Sequence, residues 1–241
     1  MKELHLPKQY KTIHELDFKN LFVSGCSFTH NGSEKYRVSW PYFLQSYANI
    51  DRLVSTAMTG AGNYHIANSL IWELEQQNPN PNDTLVVVMW SGIERDDAII
   101  SSEFLKDYPI TIEYTDGVVA GISGGINGVG NYPSPVNQSK SIESRSVENF
   151  LYYTTTYHYL KSKGYRFVFL KYLDPAQPNR SGDFVNVHQS KCDYMFDDIQ
   201  TIYDFAIRNC MLWDDDFHPS VKGHADWTRE ILLPHLVDKF K

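Results

Sequence analysis

The run Thr84–Trp90 (TLVVVMW) constrains the fold of this 241-residue chain more than any other stretch. Its unbroken apolar run is rich in β-branched residues and lacks the polar–apolar alternation of a strand with one solvated face. Such a run is typical of a central strand that is covered on both faces. It therefore predicts a parallel sheet with helices packed against both sides.

Weaker patterns repeat the same unit along the chain. Short apolar runs predict further strands at 19–23, 52–56, 166–171 and 211–213. Apolar residues at helical spacing lie between them, around 40–47, 66–74, 147–161, 195–206 and 221–237. This alternation predicts an α/β fold, a three-layer α/β/α sandwich around a flavodoxin-like, five-stranded parallel sheet.

One domain is expected to span residues 1–241, because 42% of the residues are hydrophobic and no Pro/Ser-rich linker divides the chain. Residues 96–145 fit no strand–helix unit and are predicted to be a long insertion after the third strand. Irregular segments of this length are usually functional loops or disordered. Two interpretations stay open, a lid or wall over the site and a tolerated surface insertion.

Charge and composition argue against several classes of protein. The formal net charge is -7 and no basic stripe is present, so a nucleic-acid partner is not expected. No apolar stretch is long enough for a membrane span, and residues 1–11 lack the apolar core of a secretory signal. Three cysteines without CxxC spacing indicate neither a disulfide framework nor a zinc site. We expect a cytoplasmic protein without a metal site.

Small and polar residues follow the predicted strands at the points where the strands end. They are Ser27, Gly60, Asn63, Ser91 and His218. In doubly wound sheets the ligand crevice lies outside the carboxyl ends of the strands, so residues distant in sequence meet at one edge. The sequence therefore predicts one site that draws on most of the chain.

Ser27 and His218 form a plausible nucleophile and base within that site. A serine hydroxyl is a weak nucleophile until a base takes its proton, and histidine titrates near neutrality. Asp215 precedes His218 by three residues, and a short turn would fold its carboxylate back onto the imidazole to fix the tautomer. Backbone N–H groups of the small-residue turns are candidate donors to the developing oxyanion.

Two blocks of the sequence resemble the SGNH, or GDSL-type, hydrolases. Residues 25–28 (Gly-Cys-Ser-Phe) match a relaxed form of the first block, and 215–218 (Asp-Asp-Phe-His) match the last block, Asp-x-x-His. Gly60 follows the second strand, where the family has its oxyanion glycine. Block order and strand order agree from residue 21 to residue 237.

This resemblance implies a Ser27–His218–Asp215 triad with oxyanion donors on the backbone N–H groups of Ser27 and Gly60. It also implies that no metal or organic cofactor is needed. The third block, Gly-x-Asn-Asp, is absent, because residues 90–97 contain no asparagine. Asn63 is the expected replacement donor, and Ser91 and Arg95 are alternatives.

Other residues near the predicted edge receive smaller roles. His30 and His65 are expected to line the site and contact substrate, as are Ser91 and Arg95. Cys26 is expected to point into or behind the sheet.

The favoured interpretation is a serine esterase that removes a small acyl group, acetyl above all, from a small-molecule or glycan ester. Two alternatives stay open. One is a catalytically weak or inactive carbohydrate-binding or structural protein on the same fold, which the missing asparagine favours. The other is a different enzyme that binds a nucleotide or another phosphate at the strand ends.

Overall fold

A β-sheet lies between two layers of helices in the computed structural model of the protein. The structure describes residues 16–30, 38–93, 97, 114–115, 118–119, 142–172, 193–212 and 218–241.

The four-stranded sheet between the helices is parallel in the described part of the chain. The strands are β1 (Asn20–Gly25), β2 (Arg52–Ser55), β3 (Thr84–Trp90), β4 (Tyr114–Thr115), β5 (Val118–Val119) and β6 (Arg166–Lys171). Four of them form the sheet in the order β2-β1-β3-β6, which is the flavodoxin-like order. Every residue of β3 is buried, so its predicted central position is confirmed.

Helices cover both faces of the sheet. They are α1 (Trp40–Tyr47), α2 (Asn63–Gln77), α3 (Ile142–Lys163), α4 (Ile202–Arg208), α5 (Val221–Trp227) and α6 (Leu233–Phe240). On one face α2 packs against α3, and on the other α1 packs against α5. In that second layer the buried rings of Trp40 and Trp227 meet edge to face, with centroids 6.2 Å apart. The predicted three-layer sandwich is confirmed.

The last helix is continuous but changes its winding near a proline. A π-helical turn at Thr228–Leu232 joins α5 to α6 directly before Pro234. Proline lacks an N–H group, and its ring clashes with the carbonyl four residues earlier. A local π turn is one way to accommodate such a residue without ending the helix.

The prediction of a fifth strand at 211–213 is wrong for the residues that the structure describes. Leu212 forms only an isolated antiparallel bridge with Pro219. The outer edge of β6 is instead occupied by Asp197, whose backbone N–H donates to the Phe169 carbonyl at 2.9 Å and whose carboxylate accepts from the Phe169 N–H at 3.1 Å. A side chain thus replaces part of the ladder that another strand would form.

Most of the predicted insertion, residues 96–145, lies outside the described residues. Its interpretation as a lid therefore stays a prediction. Three parts of it are described, namely Asp97, the strands β4 and β5, and the start of α3. β4 pairs antiparallel with β5. The helix predicted to begin near Val147 begins at Ile142. Within the described ranges no helix has the length and apolar character needed to cross a membrane.

Candidate active site

The turn after β1 places Ser27 at the carboxyl edge of the sheet. The N–H groups of Thr29 and His30 both donate to the Cys26 carbonyl, at 2.8 and 2.9 Å. A Cβ on Gly25 would lie 2.2 Å from the Thr29 hydroxyl oxygen and 3.1 Å from the Met89 carbonyl, so the turn requires glycine there. The Cys26 side chain is fully buried in the core, as predicted, whereas Ser27 is partly exposed.

Helix α1 braces this turn through Thr29. The Ser39 hydroxyl donates to the Thr29 carbonyl at 2.8 Å, and the Trp40 indole N–H donates to the Thr29 hydroxyl at 3.3 Å. Ser39 occupies the N-cap position of α1, but its side chain makes no capping hydrogen bond. Its hydroxyl instead holds the Ser27 turn in place.

His218 lies directly against Ser27. Its Nε2 atom is 2.8 Å from the Ser27 Oγ, although 191 positions separate the two residues. The segment is fixed on the C-terminal side, because the Ser220 N–H donates to the Met211 carbonyl at 2.7 Å. The imidazole also packs on the ring of Phe28, with centroids 4.8 Å apart. Asp215 falls outside the described residues, so its orienting role stays a prediction.

The turn that carries Gly60 is joined to the Ser27 turn through the backbone. Beyond the end of β2, the Met58 N–H still donates to the Gly25 carbonyl at 3.1 Å. The Ala61 N–H then closes a turn onto the Met58 carbonyl at 3.1 Å, with Gly60 at φ 79°, a value that favours glycine. Within the described residues, the backbone N–H groups of Ser27 and Gly60 form no hydrogen bond, so both donors are available.

The amide of Asn63 is committed to the protein interior. Its Oδ1 accepts from the Ser91 N–H at 2.8 Å, and its Nδ2 donates to the Ser91 carbonyl at 3.0 Å. The same Nδ2 also lies 2.5 Å from Asn149 Oδ1 and 3.1 Å from the Tyr153 hydroxyl, so its two hydrogens are shared among three acceptors. Asn63 is only 1% exposed. The structure therefore argues against Asn63 as an oxyanion donor, because each of its polar atoms already has a partner.

Ser91 is also less accessible as an oxyanion donor than the sequence suggests. The residue is buried, and its hydroxyl has no hydrogen-bond partner in the described part of the chain. Its backbone pairs with Asn63, so its observed contact is with the start of α2. Arg95, the other alternative donor, lies outside the described residues.

Asp97 is a site-forming residue that sequence reasoning missed. Its carboxylate accepts from the N–H groups of Gly62 and His65, both at 2.8 Å, and so caps the start of α2. A Cβ on Gly62 would lie 2.8 to 3.0 Å from this carboxylate. The available signal was a helix whose N-cap is glycine and whose first turn contains no acid. Asp97 thereby ties the segment after β3 to the turn that contains Gly60.

His30 and His65 both brace the segment between β2 and Gly60. His30 Nδ1 donates to the Ala57 carbonyl at 2.6 Å, which leaves Nε2 as the acceptor of the neutral ring. His65 Nε2 donates more weakly to the Thr56 carbonyl, at 3.4 Å. Substrate contact by either ring stays a prediction. No group of three His, Cys, Asp or Glu side chains suited to a metal ion occurs in the ranges that the structure describes.

His224 is a further, buried histidine, close enough to His218 for the two side chains to interact electrostatically. Burial lowers its pKa from the ordinary 6.5 to about 3, and the charge of His218 acts in the same direction. Its Nδ1 has no partner among the described residues. His224 is therefore neutral in the folded protein near neutral pH.

Protein stability is expected to fall as the pH drops from 6.5 towards 3, because the unfolded chain binds a proton at His224 that the folded protein does not. The contribution of the neutral His224 to the free energy of unfolding is fully present above pH 6.5, and it is lost as the pH approaches the lower, folded-state pKa. The slope approaches about 1.4 kcal/mol per pH unit. A His224→Leu variant should lose about 2 kcal/mol less than wild type between pH 7 and pH 5 in urea unfolding. The exposed His158 offers a matched control in His158→Leu. Equal pH slopes for wild type and His224→Leu would contradict a neutral His224.

Comparison with known proteins identifies the fold. No protein-family model matches the sequence, and no curated protein sequence matches it significantly. Among solved structures, TesA is 12% identical with a TM-score of 0.53, over 90% of this chain and 98% of TesA. The psychrotrophic esterase EstA from Pseudoalteromonas sp. is 13% identical with a TM-score of 0.51, over 91% and 95% of the two chains.

A third structure, from Desulfitobacterium hafniense DCB-2, is described as a lipolytic protein of the G-D-S-L family. It is 11% identical with a TM-score of 0.51, over 88% of this chain and 96% of that one. The protein therefore has the fold of the SGNH hydrolases, as the resemblance of residues 25–28 and 215–218 predicts. At these identities the likeness establishes the fold alone.

Proposed function

We propose that the protein is a hydrolase that cleaves carboxylic esters, with Ser27 as nucleophile and His218 as general base. The observation that carries this proposal is the 2.8 Å separation of Ser27 Oγ and His218 Nε2 at the carboxyl edge of the sheet. That distance is within hydrogen-bond reach, which is the geometric requirement for a base that takes the serine proton.

The reaction follows from the positions of the two side chains. Ser27 Oγ attacks the ester carbonyl while its proton passes to His218 Nε2, and the tetrahedral oxyanion forms. The carbonyl then re-forms, the alcohol leaves with the proton from His218, and the acyl group stays on Ser27. Water attacks this acyl-enzyme, His218 takes its proton, and the acid leaves Ser27 with the proton restored.

The oxyanion is assigned to the backbone N–H groups of Ser27 and Gly60, which have no other partner among the described residues. Asp215 is proposed to hold the second imidazole nitrogen, which stabilises the imidazolium formed during attack. The Asn63 amide is engaged elsewhere, so among the described residues it does not supply the side-chain donor of the family pattern, and Arg95, outside them, stays the alternative. One lost donor typically costs about 3 kcal/mol of barrier, so a protein without a replacement donor would be a slow hydrolase.

The structural neighbours support the ester as the substrate class. One is an esterase whose structure was solved with the inhibitor monoethylphosphonate, and another is described as lipolytic. An acetyl group on a carbohydrate is the finer proposal, and it comes from the family resemblance.

A fluorophosphonate probe tests the nucleophile without any choice of substrate. Wild-type protein is expected to gain one covalent label, located at Ser27 by peptide mass spectrometry. The Ser27→Ala variant should gain none, whereas the Cys26→Ala variant should label like wild type because Cys26 is buried. Equal labelling of wild type and Ser27→Ala, or no labelling of wild type, would remove Ser27 from the mechanism.

A further inference from the structure

The ring of Phe28 forms a platform for the imidazole of His218. The two ring centroids are 4.8 Å apart and the planes are inclined by 32°, so the imidazole lies over the aromatic face. Phe28 directly follows Ser27 in the chain. The same short turn therefore contains the nucleophile and the surface on which its base rests.

This platform is itself held from two sides. The ring of Tyr172 packs on Phe28 with centroids 4.7 Å apart, and the ring of Tyr203 approaches it edge-on at 6.2 Å. The two tyrosines are joined through the backbone, because the Tyr203 N–H donates to the Tyr172 carbonyl at 3.3 Å. Phe28 is only 5% exposed. Its ring has little freedom to tilt away from His218.

The contact has a chemical consequence during turnover. When His218 takes the Ser27 proton, the imidazole becomes a cation that lies over an aromatic face. Aromatic faces carry negative electrostatic potential and attract cations placed above them. His224, which interacts electrostatically with His218, is buried and neutral near neutral pH and supplies no opposing positive charge.

We propose that Phe28 is a positioning residue that fixes the plane of the His218 imidazole and stabilises its cationic form in the transition state. This inference rests on the proposed function for its catalytic part. Its geometric part, the stacking of the two rings in solution, is independent of any activity. The effect acts on a charge that forms during reaction, so it should change kcat more than KM.

A Phe28→Leu variant removes the aromatic face and keeps an apolar side chain of similar reach. With an ester substrate such as p-nitrophenyl acetate, kcat is expected to fall about tenfold, with KM changed less than about twofold. The matched control is Phe43→Leu, since Phe43 is a buried phenylalanine of α1 outside the site. It should lose similar packing and retain wild-type kcat. Phe28→Tyr keeps the aromatic face and should retain most of kcat.

Nuclear magnetic resonance of the His218 ring protons supplies a readout that packing loss does not move. In the wild-type protein the Phe28 ring current should shift the carbon-bound imidazole protons upfield. The shift should be lost in Phe28→Leu and kept in Phe28→Tyr and Phe43→Leu. If the imidazole protons of the wild-type protein show no upfield shift, the proposal is wrong, and this measurement needs no variant. A Phe28→Leu kcat equal to that of Phe43→Leu would also overturn it.

The esterase mechanism and the role of Phe28 can be refuted independently. Hydrolysis by the Ser27→Ala variant at the wild-type rate would refute the esterase mechanism, and the ring-current shift would still report whether Phe28 orients His218. A strong dependence of hydrolysis on Ser27 combined with unshifted imidazole protons would leave the esterase standing and remove the platform.

Discussion

Hydrolysis of p-nitrophenyl acetate is expected to fall about 10⁴-fold in a Ser27→Ala variant, and to a similar degree in His218→Gln. Without the hydroxyl no acyl-enzyme forms, and without the imidazole the hydroxyl keeps its proton. In the proposed mechanism Ser27 and His218 act as one unit across their 2.8 Å contact, so the double variant should be no slower than either single variant. The measurement is kcat/KM for the four proteins.

Two exposed residues of α3 provide controls for these substitutions. Ser162→Ala and His158→Gln make the same chemical changes away from the site and should hydrolyse the ester at wild-type rates. Losses that add up in the double variant would show that Ser27 and His218 act separately. The octanoate ester tests the acyl group, since an acetyl-specific enzyme should have a lower kcat/KM for the longer chain.

The meeting of Ser27 and His218 was predictable from sequence for two different reasons. Ser27 follows β1, and the carboxyl ends of parallel strands share the edge where ligand crevices form. His218 follows no parallel strand among the described residues, and its place was indicated by the Asp-x-x-His block of residues 215–218. The predicted central position of β3 is confirmed, and its unbroken apolar run is buried along its whole length.

The details that sequence reasoning missed depend on side-chain direction. Asn63 comes at the expected point of the chain, yet its amide faces Asn149 and Tyr153, which lie 86 and 90 positions away. Asp97 caps a helix that begins 34 residues before it in the chain, at Asn63. Local patterns of polarity contain no information about such partners, because the packing of α2 against α3 selects them.

Asn63→Ala is expected to lower the free energy of unfolding by about 3 kcal/mol. The substitution leaves the Ser91 N–H and carbonyl, Asn149 Oδ1 and the Tyr153 hydroxyl without the partner they share. Ser91, Asn149 and Tyr153 are buried, so water cannot readily replace the lost amide. An unsatisfied buried polar group costs about 1 to 3 kcal/mol, and partial relaxation limits the sum. Urea unfolding at neutral pH measures the change.

Asn68→Ala is the matched control on the same helix. Asn68 is exposed, and its amide donates only to the Tyr64 carbonyl one turn earlier, so its loss is nearly offset by the better helix propensity of alanine.

Activity then separates the two roles open to Asn63. An oxyanion donor would lower kcat by about 10² to 10³ and leave unfolding unchanged. If the amide is structural, Asn63→Ala lowers the free energy of unfolding by about 3 kcal/mol while Asn68→Ala leaves it nearly unchanged. In that case kcat, measured where the variant is folded, falls less than about tenfold. The polar contacts of the buried Asn63 side chain favour the second outcome, because the amide would have to leave Ser91, Asn149 and Tyr153 to reach the oxyanion.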